Sequence, residues 1–176
     1  MSRREILGGR ASGEVITTGL ATRKAWLIMS LAWAAMIFEL SRAPYSSAAS
    51  ARLISEALAW LRLSMLSNNC GLVNVLLRKS AHLTEYAGFA VLLYNSVKPA
   101  GGPAWSPKAA WWALVMAGSY SLTDEWHQSF VPGRHALLSD CVLDAGGALV
   151  GLWLLSRRLS QAQRKNHARE ESVAEG

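Results

Sequence analysis

Three short stretches set ionisable side chains directly against apolar sequence: Arg78-Lys79-Ser80-Ala81-His82-Leu83-Thr84-Glu85-Tyr86, then Asp124-Glu125-Trp126-His127-Gln128 with Arg134 just beyond, then Asp140 and Asp144. Every aspartate in the chain lies between positions 124 and 144. On a helix turning about 100° per residue, Lys79, His82 and Tyr86 fall within roughly 60° of one another, and Glu85 sits one turn from His82. Tyr120, Ser121, Asp124 and Gln128 share a face, with Glu125 at its margin. Asp140, Asp144, Gly147 and Gly151 follow at i, i+4, i+7 and i+11, so two carboxylates share a stripe with two glycines, a pattern that lets another helix approach closely.

Three readings fit these groups. In the first, Lys79 and Arg134 bind phosphate or carboxylate, Arg134 through its bidentate fork and Lys79 as a point charge, while the acidic residues orient them. A Pro132-Gly133 turn would hold Arg134 at the mouth of such a site. In the second, His82 with Glu85 or Glu125 forms an acid–base pair, because an imidazole beside a carboxylate and partly shielded from water titrates near neutrality. In the third, Glu85, Asp124, Glu125, Asp140 and Asp144 simply pair with Arg78, Lys79, Arg134 and His82 as a structural network; the near-balance of charge implies pairing. Oxygen ligands suit Mg²⁺ or Ca²⁺, but no local motif supports a metal. Neither a metal nor a cofactor is expected.

Four apolar stretches must position these groups: 25–40, 83–97, 109–126 and 136–155. Crossing about 30 Å of hydrocarbon takes roughly 20 residues, so the last is comfortable and the others absorb polar residues at one end. A soluble bundle would carry a polar stripe along each helix. Ala25 to Phe38 and Ala145 to Leu155 carry no charge on any face. The expected fold class is therefore all-α: an integral membrane bundle of about four transmembrane helices, with the polar groups at one, outer level and opening as a shared pocket. Residues 1–24 and 157–176 read as charged cytoplasmic tails without structure, and 25–156 as the membrane domain. Between the first two spans, the apolar spacing from Ser50 to Met65 predicts an amphipathic helix in the outer interface, with Trp60 at headgroup level.

Composition agrees. The chain is 51% hydrophobic with eight Trp, and its 17% charged residues fall below the roughly 25% of soluble proteins. Half of the charges lie in the two tails. A net charge of +6 and a pI near 9.7 would suit nucleic acid, but basic residues confined to tails and beside apolar runs are better matched to anionic lipid. Cys70 and Cys141 have no metal-ligand spacing and read as free thiols. The opening Ser2-Arg3-Arg4-Glu5-Ile6-Leu7 mimics a twin-arginine signal, yet its apolar stretch begins only at Ala25.

Together, the 78–86, 124–134 and 139–151 motifs closely resemble the VanZ-like family, and Phe38-Glu39-Leu40-Ser41 resembles that family's first-helix ending. The likeness runs from 26 to 155 in order and spacing; His135-Ala136-Leu137 departs from the small polar residues that often follow the loop arginine. The resemblance implies a small polytopic protein of the bacterial cytoplasmic membrane, acting in the cell envelope. Its ligand-binding residues would be Lys79, His82, Glu85, Tyr86, Asp124, Glu125, Gln128, Arg134, Asp140 and Asp144. The implied partners are membrane lipids, an anionic lipid or a cell-wall precursor, and no nucleic acid; oligomeric state is not indicated. The family is named after a member associated with low-level resistance to the glycopeptide teicoplanin, and it has no agreed reaction. The likeness therefore strengthens the residue set more than the activity.

Topology follows from the basic residues. In a four-span arrangement the two tails and the 98–108 loop carry twelve of the eighteen Lys and Arg, which assigns that side to the cytoplasm. Reporter fusions at residue 20 and after residue 160 should both score cytoplasmic. An extracytoplasmic C-terminus would mean an odd number of spans.

Overall fold

The computed structural model describes residues 3–41, 52, 56, 70–130 and 138–174. Their elements are α1 (Arg3–Leu40), α2 (Cys70–Val97), α3 (Pro107–Gln128) and α4 (Leu138–Ala174), with no strand among them. The all-α expectation holds. The helices also run on into the tails expected to lack structure, since α1 begins at Arg3 and α4 continues to Ala174. The physical reason at the C-terminal end is propensity: residues 152–174 contain neither Gly nor Pro and are rich in Arg, Gln, Ala, Leu and Glu. Of the expected interfacial helix at 50–65, only Arg52 and Glu56 are described; both are helical and joined by an i,i+4 ion pair of 3.0 Å. The rest of that segment lies outside the described residues.

One tyrosine organises the turn between α2 and α3. The Tyr94 hydroxyl accepts a hydrogen bond from the Ser106 N–H at 3.0 Å and donates to the Ala104 carbonyl at 3.4 Å. The Trp105 ring stacks on it with centroids 4.9 Å apart. Gly101, at φ 69°, takes the left-handed conformation that the turn requires. Ser106 then caps α3 by accepting from the Ala109 N–H, and Pro107 occupies the first turn, where its missing N–H costs nothing.

Side-chain register gives the directions of the helices. Lys79 meets Asp140, His82 meets Asp144, Leu83 underlies Gly147 and Ala87 underlies Gly151, so α2 and α4 run parallel. Arg23 donates to the Ser96 carbonyl and Trp33 to that of Glu85, which makes α1 antiparallel to α2. Ser121 reaches Asp144, and Tyr120 donates to the Ala34 carbonyl at 2.6 Å, aligning α3 with α1. The result is an up-down-up-down arrangement.

Small residues set the helix separations. A Cβ at Gly147 or Gly151 would run into the α2 backbone at Leu83 or Ala87, so α4 lies against the main chain of α2. At Gly88 the neighbour is the Trp33 ring of α1, 3.0 Å from where a Cβ would sit. On α3, Ala109, Ala113 and Ala117 recur every fourth residue and are buried. The core they enclose contains Ile37, Tyr86, Phe89, Ala90, Leu93, Tyr94, Ala148 and Leu152.

The exterior is apolar instead of polar. Leu27, Ile28 and Leu31 on α1, Leu72 and Leu76 on α2, Trp111, Trp112 and Leu122 on α3, and Val142, Leu149 and Trp153 on α4 are all exposed. Large apolar side chains facing outward on all four helices are the pattern of a surface covered by something other than water. Among the described residues one helix, spanning Leu138–Val173, is long and apolar enough to cross a membrane.

Neighbouring glycines on α4 provide the test. Gly146 has nothing within 4 Å of its would-be Cβ, whereas Gly147 has the Leu83 backbone. Gly146→Ala should raise the thermal midpoint in detergent, because alanine gains about 0.5–1 kcal/mol over glycine in a helix. Gly147→Ala should lower it, by the ~1–3 kcal/mol typical of forced overpacking. Equal tolerance of both would mean that α4 does not touch α2 at this level.

Candidate functional site

Parallel α2 and α4 present two polar rungs to each other. On the outer rung Lys79 Nζ donates to Asp140 Oδ1 at 2.8 Å, with the side chains 46% and 25% exposed. On the inner rung His82 Nδ1 stands 3.4 Å from Asp144 Oδ1, at 17% and 0% exposure. The second oxygen of Asp144 accepts the Ser121 hydroxyl from α3 at 2.6 Å. Three helices thus meet on one carboxylate that water does not reach. Asp144 Oδ1 faces His82 Nδ1 at ion-pair distance without a hydrogen bond, so the bond from Ser121 is the one that offsets the burial of this carboxylate.

A second buried carboxylate lies next to this one. Asp124 Oδ2 accepts from Gln128 Nε2 at 2.9 Å, one helical turn on, and Ser41 at the end of α1 lies beside the same group. Tyr86 is fully buried among Ser121, Asp124 and Asp144. Among the described residues its hydroxyl, like Asp124 Oδ1, has no hydrogen-bond partner. Buried polar atoms left open in this way mark a place where a water, an ion or a ligand group would bind.

The ten residues expected at the site do not all share one place. His82, Tyr86, Asp124, Gln128 and Asp144 come together in the interior, Lys79 and Asp140 form the rim, and Arg134 lies outside the described residues. Glu125 is buried on the α4 side, near the free thiol of Cys141. Glu85 is half-buried near His82, and its backbone carbonyl accepts the Trp33 indole N–H at 3.0 Å. The carboxylate at ion-pair distance from His82 is that of Asp144.

Sequence reasoning set Ser121 on the right face but did not identify it as the donor to Asp144, and it missed Ser41 beside Asp124. Nothing local signals either contact, since each joins residues on different helices. His127 packs its ring against Phe38 with centroids 4.5 Å apart. Both rings, with Tyr120, Thr123, Asp124 and Trp126, line a cavity of about 140 Å³. Among the described residues no group of three or more His, Cys, Asp or Glu is arranged to hold a metal ion.

A family model described as VanZ/LLP1 matches residues 26–159. The chain belongs to the VanZ/LLP1 family. No curated protein and no solved structure matches it. The VanZ/LLP1 region holds every residue of the polar cluster, whereas the first turns of α1 and the last of α4 lie beyond it. Membership and the apolar α4 together point to a membrane protein.

The two rungs should differ sharply in energy. A double-mutant cycle on His82 and Asp144 (His82→Gln, Asp144→Asn), read by unfolding in detergent, should give a coupling of about 1–3 kcal/mol. The Lys79–Asp140 cycle should give about 0.2–1 kcal/mol, the range for exposed pairs, and fall with added salt. Equal couplings would contradict the burial of Asp144.

Proposed function

We propose that this VanZ/LLP1 protein is a multi-pass protein of the bacterial cytoplasmic membrane with both termini cytoplasmic, whose polar end engages an anionic lipid or envelope polymer from the outer side. The observation that carries this reading is the inversion of polarity: buried Asp124, Glu125, Gln128 and Asp144 inside a bundle whose outer surface is leucine, valine and tryptophan. Lipid as solvent explains the surface. Ionisable groups kept at membrane depth, and gathered at one end, explain themselves best as a functional site.

The division of labour follows from geometry. Lys79 at the rim is within reach of solvent and already held by Asp140, so it presents a cation at a fixed place. Arg134, on the connection between α3 and α4, would add a bidentate fork for phosphate or carboxylate. The inner groups, His82, Tyr86, Asp124 and Asp144, would orient the polar end of the ligand. Glycopeptide resistance belongs to the family's namesake; the feature proposed for this chain is the shared chemistry of an anionic envelope molecule.

One observation favours an alternative, a membrane enzyme acting on a lipid-linked envelope substrate. His82 faces a buried carboxylate, the arrangement that poises an imidazole for acid–base work. In that reading His82 is the acid or base with Asp144 as its orienting partner, and Glu85 or Glu125 supplies the second carboxyl.

Mass analysis of lipids retained by the detergent-purified full chain separates these readings from a purely structural network. A phosphate-bearing envelope lipid should co-purify, and Arg134→Lys should reduce it about tenfold, the loss of one charge-assisted hydrogen bond, without shifting the thermal midpoint. His82→Gln should weaken retention of the lipid if the protein is a binder, and cause the intact ligand to accumulate if it is an enzyme. Retention of no anionic lipid, with Arg134→Lys lowering the midpoint, would leave the cluster a structural network.

A further inference from the structure

A groove of about 700 Å³ between α1 and α4 begins one turn from the polar cluster, at Ala87, and runs away from it to Arg158. Its floor is α2. The groove exists because that floor is low: Ala87 and Gly88 lie between walls built from Met29 and Met36 of α1 and from Leu154 and Leu155 of α4. Its volume falls within the range of small-ligand pockets, and apart from Arg158 at one end its lining is uncharged.

Among the described residues that flank the groove, charge is of one sign. Between Val15 and Phe38, between Ala87 and Thr123, and between Ala145 and Arg169, the chain has no Asp or Glu. Arg23, Lys24, Lys98, Lys108, Arg157 and Arg158 are the charged residues where these stretches approach the end of the bundle. Arg157 is held over the Trp153 ring at 5.2 Å, and Arg23 is tied to the Ser96 carbonyl. Arg158 stands one turn beyond Leu154 at the mouth of the groove. An apolar slot ending in a guanidinium, with no carboxylate among its lining residues, is complementary to an amphiphile with a hydrocarbon tail and an anionic head.

We propose that this groove binds one acyl chain of an anionic phospholipid from the leaflet on the basic side, with Arg158 on its phosphate. The site is distinct from the polar cluster, and it rests only on the membrane-spanning part of the functional reading. Arg158 supplies the selectivity by charge and the Ala87–Gly88 floor supplies the room.

Native mass spectrometry of the full chain, equilibrated with equal amounts of phosphatidylglycerol and phosphatidylcholine of matched chain length, tests it. Phosphatidylglycerol adducts should exceed phosphatidylcholine adducts about fivefold, the factor expected from one basic residue at an anionic head. Arg158→Gln should bring that ratio to about one, and Ala32→Phe, which fills the groove from an exposed position on α1, should remove both adducts while leaving the thermal midpoint unchanged. The same ratios read in the Lys79→Gln/Arg134→Lys background, which weakens anionic lipid at the other end, should keep their dependence on Arg158. The proposal is overturned by equal adducts in the parent chain, by a ratio that survives Arg158→Gln, by adducts that survive Ala32→Phe, or by a dimer mass without lipid, which would make a second copy the occupant. Should alkaline carbonate extract the protein from membranes, the membrane reading itself fails; membrane-retained protein without selective adducts sinks the groove alone.

Discussion

The contact of α4 with the α2 main chain is the constraint from which the rest of the bundle follows. Gly147 and Gly151 leave no side chain between the two helices, so their axes come close enough for the flanking residues to meet as rungs. His82 precedes Leu83 by one residue, and Asp144 precedes Gly147 by three. The close approach therefore delivers an imidazole to a carboxylate. A larger residue at either glycine would separate the helices and strand Asp144 without its α2 partner, which turns a packing fault into an electrostatic one.

Around that contact the bundle grades from wet to dry. Lys79 and Asp140 face solvent, His82 is mostly covered, and Asp144, Tyr86 and Ser121 are closed off. Further along, the interior becomes mainly apolar, with Phe89, Ala90 and Leu93 on α2 against Ala113 and Ala117 on α3 and Ala148 and Leu152 on α4. Polar and apolar halves of the same core thus serve different ends: one offers unsatisfied hydrogen-bonding capacity, the other offers packing. The two candidate sites divide along the same line.

Much of this was legible in the chain because it is periodic. The i, i+4, i+7, i+11 spacing of Asp140, Asp144, Gly147 and Gly151 predicts a single stripe that another helix approaches, and the structure sets both glycines against α2. The clustering of His82, Asp124 and Asp144 at matching helix ends likewise predicts their convergence. What was not legible depends on rotation and pairing between helices. Spacing alone cannot say that His82 faces Asp144 more closely than Glu85 or Glu125, or that Ser121 is the donor to its second oxygen. The groove between α1 and α4 was invisible for the same reason, since it is a gap created by which small residues happen to share a level. Continuation of α4 into the C-terminal tail follows from helix propensity, which charge obscures in the sequence.

The order of helices along the chain bears on how so costly a group reaches its place. Synthesis runs from the N-terminus, so α2 with His82 and α3 with Ser121 are made before α4 emerges. Asp144 therefore travels on the last helix, and both groups that hold it are already present when it arrives. The carboxylate never has to wait in an apolar surrounding for a partner still to be translated, as it would if the same residues were distributed in the reverse order.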